Sequence, residues 1–243
     1  NATPNAWIYV DIKTSDIGGY VTAAKQKVAD TVKIPPGYSL VWSGQFEYME
    51  RAAARLKVVV PLTLLTIFLL LYFNFRNLVA PAVVMLSIPF ALIGGYWLIW
   101  LLDYNMSITV AVGFIALAGV SAEIGVLVLT FIDQAVARRR AEKTGALDAA
   151  DITAAVLDGT TQRVRPIAMT ATAVIAGLIP IMWGSGTGSD VMQRIAAPMI
   201  GGMVTATVLS LLVLPVIYGW VLQLQERRAR ASIPFRGGTE NGN

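Results

Sequence analysis

The 243-residue chain contains no cysteine and no histidine, and only 14% of its residues are charged, against roughly 25% in an ordinary soluble domain. The first two absences exclude disulfide frameworks, zinc fingers, cysteine or histidine nucleophiles and imidazole metal sites. Any metal bound here has to be held by methionine sulfur, carboxylate or backbone oxygen. The scarcity of charge, beside 56% hydrophobic residues and a mean hydropathy of +0.63, points to lipid as the solvent. The net charge of +4 is small, and the basic residues cluster beside apolar runs, which argues against a nucleic-acid partner. Around Asn1-Ala2-Thr3-Pro4 there is no basic leader followed by an apolar core, so no signal peptide is expected and the chain reads as part of a longer protein.

Five long apolar stretches dominate what is present: Val58 to Phe73, Leu78 to Leu102, Ser107 to Ile132, Ile167 to Trp183 and Ile195 to Leu222. Each is close to or above the roughly 17 to 25 residues needed to cross a bilayer. Ahead of them, Ala6 to Asp11 and Val41 to Ser43 are β-branched and aromatic and predict strands. Between the two, Ser15 predicts the cap of a helix running to about Val32, which Pro35-Pro36-Gly37 stops. The expected fold class is mainly α: a polytopic membrane protein with five transmembrane helices after a short α+β piece. The domains divide as residues 1–56, a soluble piece with its exit helix; 57–226, the membrane domain; and 227–243, a basic tail that reads as disordered. Within the membrane domain, Val136 to Leu157 predicts an amphipathic helix lying on the membrane face, or a solvated helix of the same length.

Orientation follows from lysine and arginine. One set of connections carries Arg76, then Arg138, Arg139, Arg140, Lys143, Arg163 and Arg165, then Arg227, Arg228, Arg230 and Arg236, while the short loops opposite carry only Arg194. The positive-inside rule assigns the first set and the C-terminus to the cytoplasm and residues 1–56 to the other side.

Among the five stretches one ionisable residue stands out. Glu123 lies near the middle of the third, where a carboxylate costs several kcal/mol unless it is neutral or paired. At about 100° per residue, Ala116, Gly119 and Glu123 share one helix face and Ala118, Ser121, Ala122 and Gly125 the opposite one. Such a helix is expected to be squeezed between neighbours, with Glu123 facing the bundle. Partial desolvation there favours the protonated carboxyl and suits a group that takes up and releases a proton. The bland alternative is a permanently protonated Glu that only fixes packing. Met192, Met199 and Met203, spaced by seven and four, fall in one stripe at the start of the last span. Thioethers bind Cu(I) or Ag(I) in preference to zinc or magnesium. On spacing alone, however, methionine as a core gap-filler is the stronger reading. The run Gly184 to Asp190 has the composition of a phosphate loop but lacks its Lys and its strand, so it reads as a loop between spans.

Ser43-Gly44-Gln45-Phe46-Glu47, Gly113-Phe114-Ile115-Ala116-Leu117-Ala118-Gly119-Val120, Val164-Arg165-Pro166, and Arg194-Ile195-Ala196-Ala197-Pro198-Met199-Ile200-Gly201-Gly202-Met203 occur in that order. Together they resemble the heavy-metal-efflux branch of the resistance-nodulation-division (RND) pumps, over residues 6 to about 226. The resemblance implies the end of a periplasmic porter region followed by helices like eight to twelve of an RND pump. It also implies a homotrimer in the inner membrane of a Gram-negative cell, residues 1–56 in the periplasm, with a periplasmic adaptor and an outer-membrane channel as partners. Protons and Cu(I) or Ag(I) are the implied transported species, with no permanently bound cofactor and no enzymatic reaction. The copper and silver pumps are similar in having Glu at the Glu123 position and Met at the Met192 position, which favours Met192 as a metal ligand and leaves Met199 and Met203 as weaker candidates. One departure is Ile167, where that type has a Lys belonging to its proton relay. The competing readings are an RND pump for divalent zinc, cobalt or cadmium or for drugs, and a membrane scaffold that transports nothing.

Overall fold

The computed structural model describes residues 6–12, 17–143 and 147–231. Among them are six helices: α1 (Ile17–Thr31), α2 (Gln45–Phe75), α3 (Val79–Leu101), α4 (Ile108–Glu142), α5 (Ala149–Met182) and α6 (Ser189–Ala231). The chain divides into two compact units, residues 1–62 and 63–243, with α2 running from one into the other.

In the first unit the expected helix is α1, although Ser15 lies outside the described residues. Neither expected strand forms, and among the described residues there is no strand at all. A strand is held by ladder bonds to a neighbour, and no second strand is there to supply them. Trp7, Ile8, Tyr9 and Val10 are correspondingly exposed on both sides of the backbone, at 64, 85, 89 and 59%. Trp7 stacks on Tyr9, two residues along the same side, with ring centroids 6.4 Å apart. The α+β description of this piece is thus corrected to α with extended flanks.

The second unit carries the membrane architecture. Helices α2 to α6 are each long and apolar enough to cross a bilayer, in the number and order the apolar runs predict. The helices outrun those runs: α2 begins at Gln45, α5 at Ala149, and α6 continues to Ala231. Hydropathy marks the lipid-embedded part of a helix, whereas the helix itself continues through polar sequence of good helix-forming residues. Prolines 61, 89, 166, 180, 198 and 215 lie within helices, where packed neighbours re-satisfy the freed backbone groups.

Helix α4 is the centre, with half of its apolar window buried, against 6% for α2 and 11% for α5. Its partner α6 runs parallel to it, as the register shows from Tyr104 beside Gln193 to Arg140 beside Glu226. Helix α3 crosses α6 at Gly94 and Gly201. A Cβ on Gly94 would collide with the Gly201 carbonyl and Thr205, and one on Gly201 with the Gly94 carbonyl. This is small-residue packing, in which bare backbone lets two helices touch and dispersion replaces the hydrophobic drive that lipid cannot supply. Across the contact, Thr205 Oγ1 donates to the Ala91 carbonyl at 3.2 Å.

The expected single helix over Val136 to Leu157 is instead two helix ends around a break. Helix α4 runs straight on to Glu142, and both Lys143 and Asp148 are extended. Asp148 N–H donates to Asp151 Oδ2 at 2.9 Å, which ties down the first turn of α5. The Lys143 ammonium binds Asp151 and, at 3.5 Å, Asp148. That hydrogen bond to Asp151 holds Lys143 above the usual lysine range. Three contacts to the Asp148 and Asp151 carboxylates, concentrated at one corner, favour a turn over continued helix.

Candidate functional site

Helix α4 presents two unlike faces. Leu117, Ser121, Ile124, Gly125 and Val128 are buried, with Val84 of α3 and Leu214 of α6 closing over Gly125. On the other side Val112 and Ile115 are exposed, Gly119 has open space around it, and Glu123 is exposed with them. Glu123 therefore faces away from the other four helices, contrary to the expectation that it points into their bundle. Both faces of α4 carry small residues, so composition does not choose between them. Shape does: the Ser121–Gly125 side accepts α3 and α6.

The three methionines share a stripe but not an environment. Met192 is 54% exposed, Met199 half-buried, and Met203 fully buried in the hydrophobic core. Met203 is a packing residue among these helices, as the gap-filler reading holds. The parallel register of α4 and α6 places Glu123 near the level of residue 208, about 24 Å along α6 from Met192. Glu123 and Met192 are not brought together.

Ile167 is 4% exposed and sits in the core, and Arg165 beside it points outward. Neither offers Glu123 a cation. Arg163 turns inward instead, its guanidinium 3.6 Å from the centre of the Phe131 ring, two turns of α4 beyond Glu123.

A polar group that the sequence reading passed over lies at the arginine-rich end. Tyr218 of α6 donates to Asp133 Oδ1 of α4 at 2.6 Å. The pair lines a cavity of about 510 Å³ together with Asn77, while Arg140 and Glu226 form a 2.8 Å ion pair on its wall. Asp133 is the first residue after the apolar run that ends at Ile132, so hydropathy alone leaves it outside that run. A lone tyrosine near the end of the last span, level with it in register, was the available signal.

Residues 1–222 match the AcrB/AcrD/AcrF family. The chain belongs to that family. It is 45% identical over 95% of its length to the cation efflux system protein CusA of Escherichia coli K12, covering 22% of that relative. The putative cation efflux system protein SilA of Salmonella typhimurium is 45% identical over 90% of the chain, which covers 21% of it. The cobalt-zinc-cadmium resistance protein CzcA of Cupriavidus metallidurans is 42% identical over 87%, with 19% of that relative covered. Among solved structures, a crystal structure of a heavy metal efflux pump superimposes with a TM-score of 0.69 at 33% identity, covering 85% of this chain and 19% of that one. The chain thus spans about a fifth of the length of the relatives it matches.

Proposed function

We propose that the protein is the inner-membrane subunit of a proton-driven efflux pump that exports Cu(I) or Ag(I), and that Glu123 carries the coupling proton. The observation that carries this reading is a carboxylate at mid-span on a face of α4 that the other four helices leave open. A charge at that depth is costly unless it serves a pathway. Helices beyond this chain are the natural cover, since the relatives are about five times longer. Likeness to the cation efflux proteins CusA and SilA at 45% identity supports a cation as cargo, and the resemblance to the copper and silver pumps at Glu123 and Met192 supports a soft monovalent one. Met192, exposed at the start of α6, is the residue of the stripe free to hold one. The likeness to CzcA, at 42%, supports a second reading in which the cargo is divalent.

In this proposal the arginine-rich ends are cytoplasmic and the first unit is periplasmic, following the distribution of lysine and arginine. The protein works as a homotrimer with a periplasmic adaptor and an outer-membrane channel, as the family resemblance implies. The test uses cells relying on the full-length pump for resistance. Glu123→Gln keeps shape and removes the exchangeable proton, so resistance falls to that of cells without the pump at normal protein level. Met192→Ile lowers copper and silver resistance and leaves any zinc or cobalt resistance unchanged. Full resistance with Glu123→Gln removes Glu123 from the mechanism, and protection against zinc or cobalt alone moves the assignment to the divalent reading.

A further inference from the structure

Glu123 is not the last polar residue on its face of α4. Thr130 follows seven residues on, two turns and about 10.5 Å along the axis, and falls within about 20° of the same stripe. Asp133 comes one turn later, about 80° round the helix from Glu123 on the side toward Tyr218 of α6. Between Ile108 and Ala137, Glu123 and Asp133 are the two ionisable residues of the helix. Thr130 Oγ1 gives its proton to the Val126 carbonyl at 2.8 Å, which leaves the oxygen as an acceptor toward the stripe. Polar groups on α4 therefore step from Glu123 at mid-membrane through Thr130 and then round toward α6, to Asp133 at the cavity of the arginine-rich end.

The charges around that cavity single out one group. On α4 and α6, Arg140 and Glu226 pair at 2.8 Å and neutralise each other. Tyr218 contributes a hydroxyl already committed to Asp133. From the other elements come Asn77, Leu147 and Ile152, none of them charged. Among the described residues Asp133 is the one carboxylate lining that cavity without an ion-pair partner, and the cavity, at about 510 Å³, is roomy enough for many waters.

We infer that Asp133 is the group through which the proton carried by Glu123 is released to the cytoplasm, with Thr130 marking the route along α4 and Tyr218 positioning the carboxylate. The inference rests on the proton-coupled reading of Glu123. The Glu123 carboxyl gives up its proton and becomes a carboxylate. Water along the stripe relays that proton to the Asp133 carboxylate, which then releases it to water in the cavity. No other reactant is consumed.

The test is made on the full-length pump in liposomes, with the pH on the cytoplasmic and outer faces set independently. Proton movement and metal movement are both followed. Asp133→Asn preserves shape and an acceptor for Tyr218, and it is expected to slow coupled transport by about a hundredfold with metal affinity unchanged. The dependence on cytoplasmic-side pH disappears while the dependence on outer pH persists. Asp133→Glu restores most of the rate, and Tyr218→Phe shifts the cytoplasmic-side pH profile without abolishing it. A wild-type rate and pH profile in Asp133→Asn, beside an inactive Glu123→Gln, overturns the inference alone. A slowed Asp133→Asn whose two pH profiles keep their wild-type shapes makes Asp133 merely structural and likewise overturns it. Metal export by the wild type with no proton movement overturns both this inference and the coupling reading beneath it.

Discussion

Met192 and Met203 lie on one helix and in one stripe, yet one is 54% exposed and the other fully buried. Their replacements should separate accordingly. Truncating Met203→Ala leaves a cavity in the hydrophobic core that Met203 shares with Leu117 and Ala206 and is expected to cost about 2 to 5 kcal/mol. Met192→Ala, with little packed on it, should stay within about 0.5 kcal/mol. Melting of the purified protein in detergent reads the difference, and equal shifts for the two variants would contradict the burial pattern. Spacing placed the methionines in a stripe correctly but could not say how far along that stripe the core begins. That limit is set by where α3 and α4 lie against α6, which no local pattern encodes. Asp133 and Tyr218 show the same limit from the other side. Each is unremarkable alone, and they are 85 residues apart in sequence.

At the scale of elements, the decisive contacts are backbone on backbone. Gly201→Ala gains about 1 kcal/mol of helix propensity. It also drives a methyl group into the Gly94 carbonyl and the Leu98 Cβ, which a rigid helix cannot yield. Overpacking of this kind costs about 1 to 3 kcal/mol, and more where backbone must move, so the steric cost wins and the variant should be destabilised. Gly177→Ala is the control: nothing lies within 4 Å of its added Cβ, so only the propensity gain remains and stability should hold or rise. Thermal unfolding of the two variants side by side tests this, and a stabilised Gly201→Ala would mean that α3 and α6 do not cross there. The pairs Gly94-Gly95 and Gly201-Gly202 allow close helix approach but do not by themselves name the partner. The break between α4 and α5 was illegible for a different reason. The charges of Lys143, Asp148 and Asp151 look like one polar helix face until they are seen to bind one another across a turn.

For the whole molecule, the proposed topology makes a direct prediction. The chain has no native cysteine, so single cysteines introduced at Ala141 and Ser185 report cleanly. With the arginine-rich end in the cytoplasm, Ser185→Cys in intact cells should react with a membrane-impermeant thiol reagent, and Ala141→Cys should react only after the cells are opened. Labelling of Ala141→Cys in intact cells would invert the assignment.

Hydropathy and charge are sums along the chain, and for that reason the sequence by itself determined the five membrane helices, their order and the arginine-rich end. Family-specific runs such as Arg194 to Met203 likewise survive as strings and need no structure to be matched. The choice of which face of α4 is covered, the burial of Met203 and Ile167, and the meeting of Asp133 with Tyr218 were decided only in the tertiary structure. The missing strands belong with them, because a β-branched run becomes a strand only when another backbone lies beside it. Each of these depends on the shape and register of a neighbour distant in sequence. A helix with small residues on two sides and one carboxylate fits several packings, and the complementarity of Gly125 with Val84 and Leu214 selects the one that turns Glu123 outward.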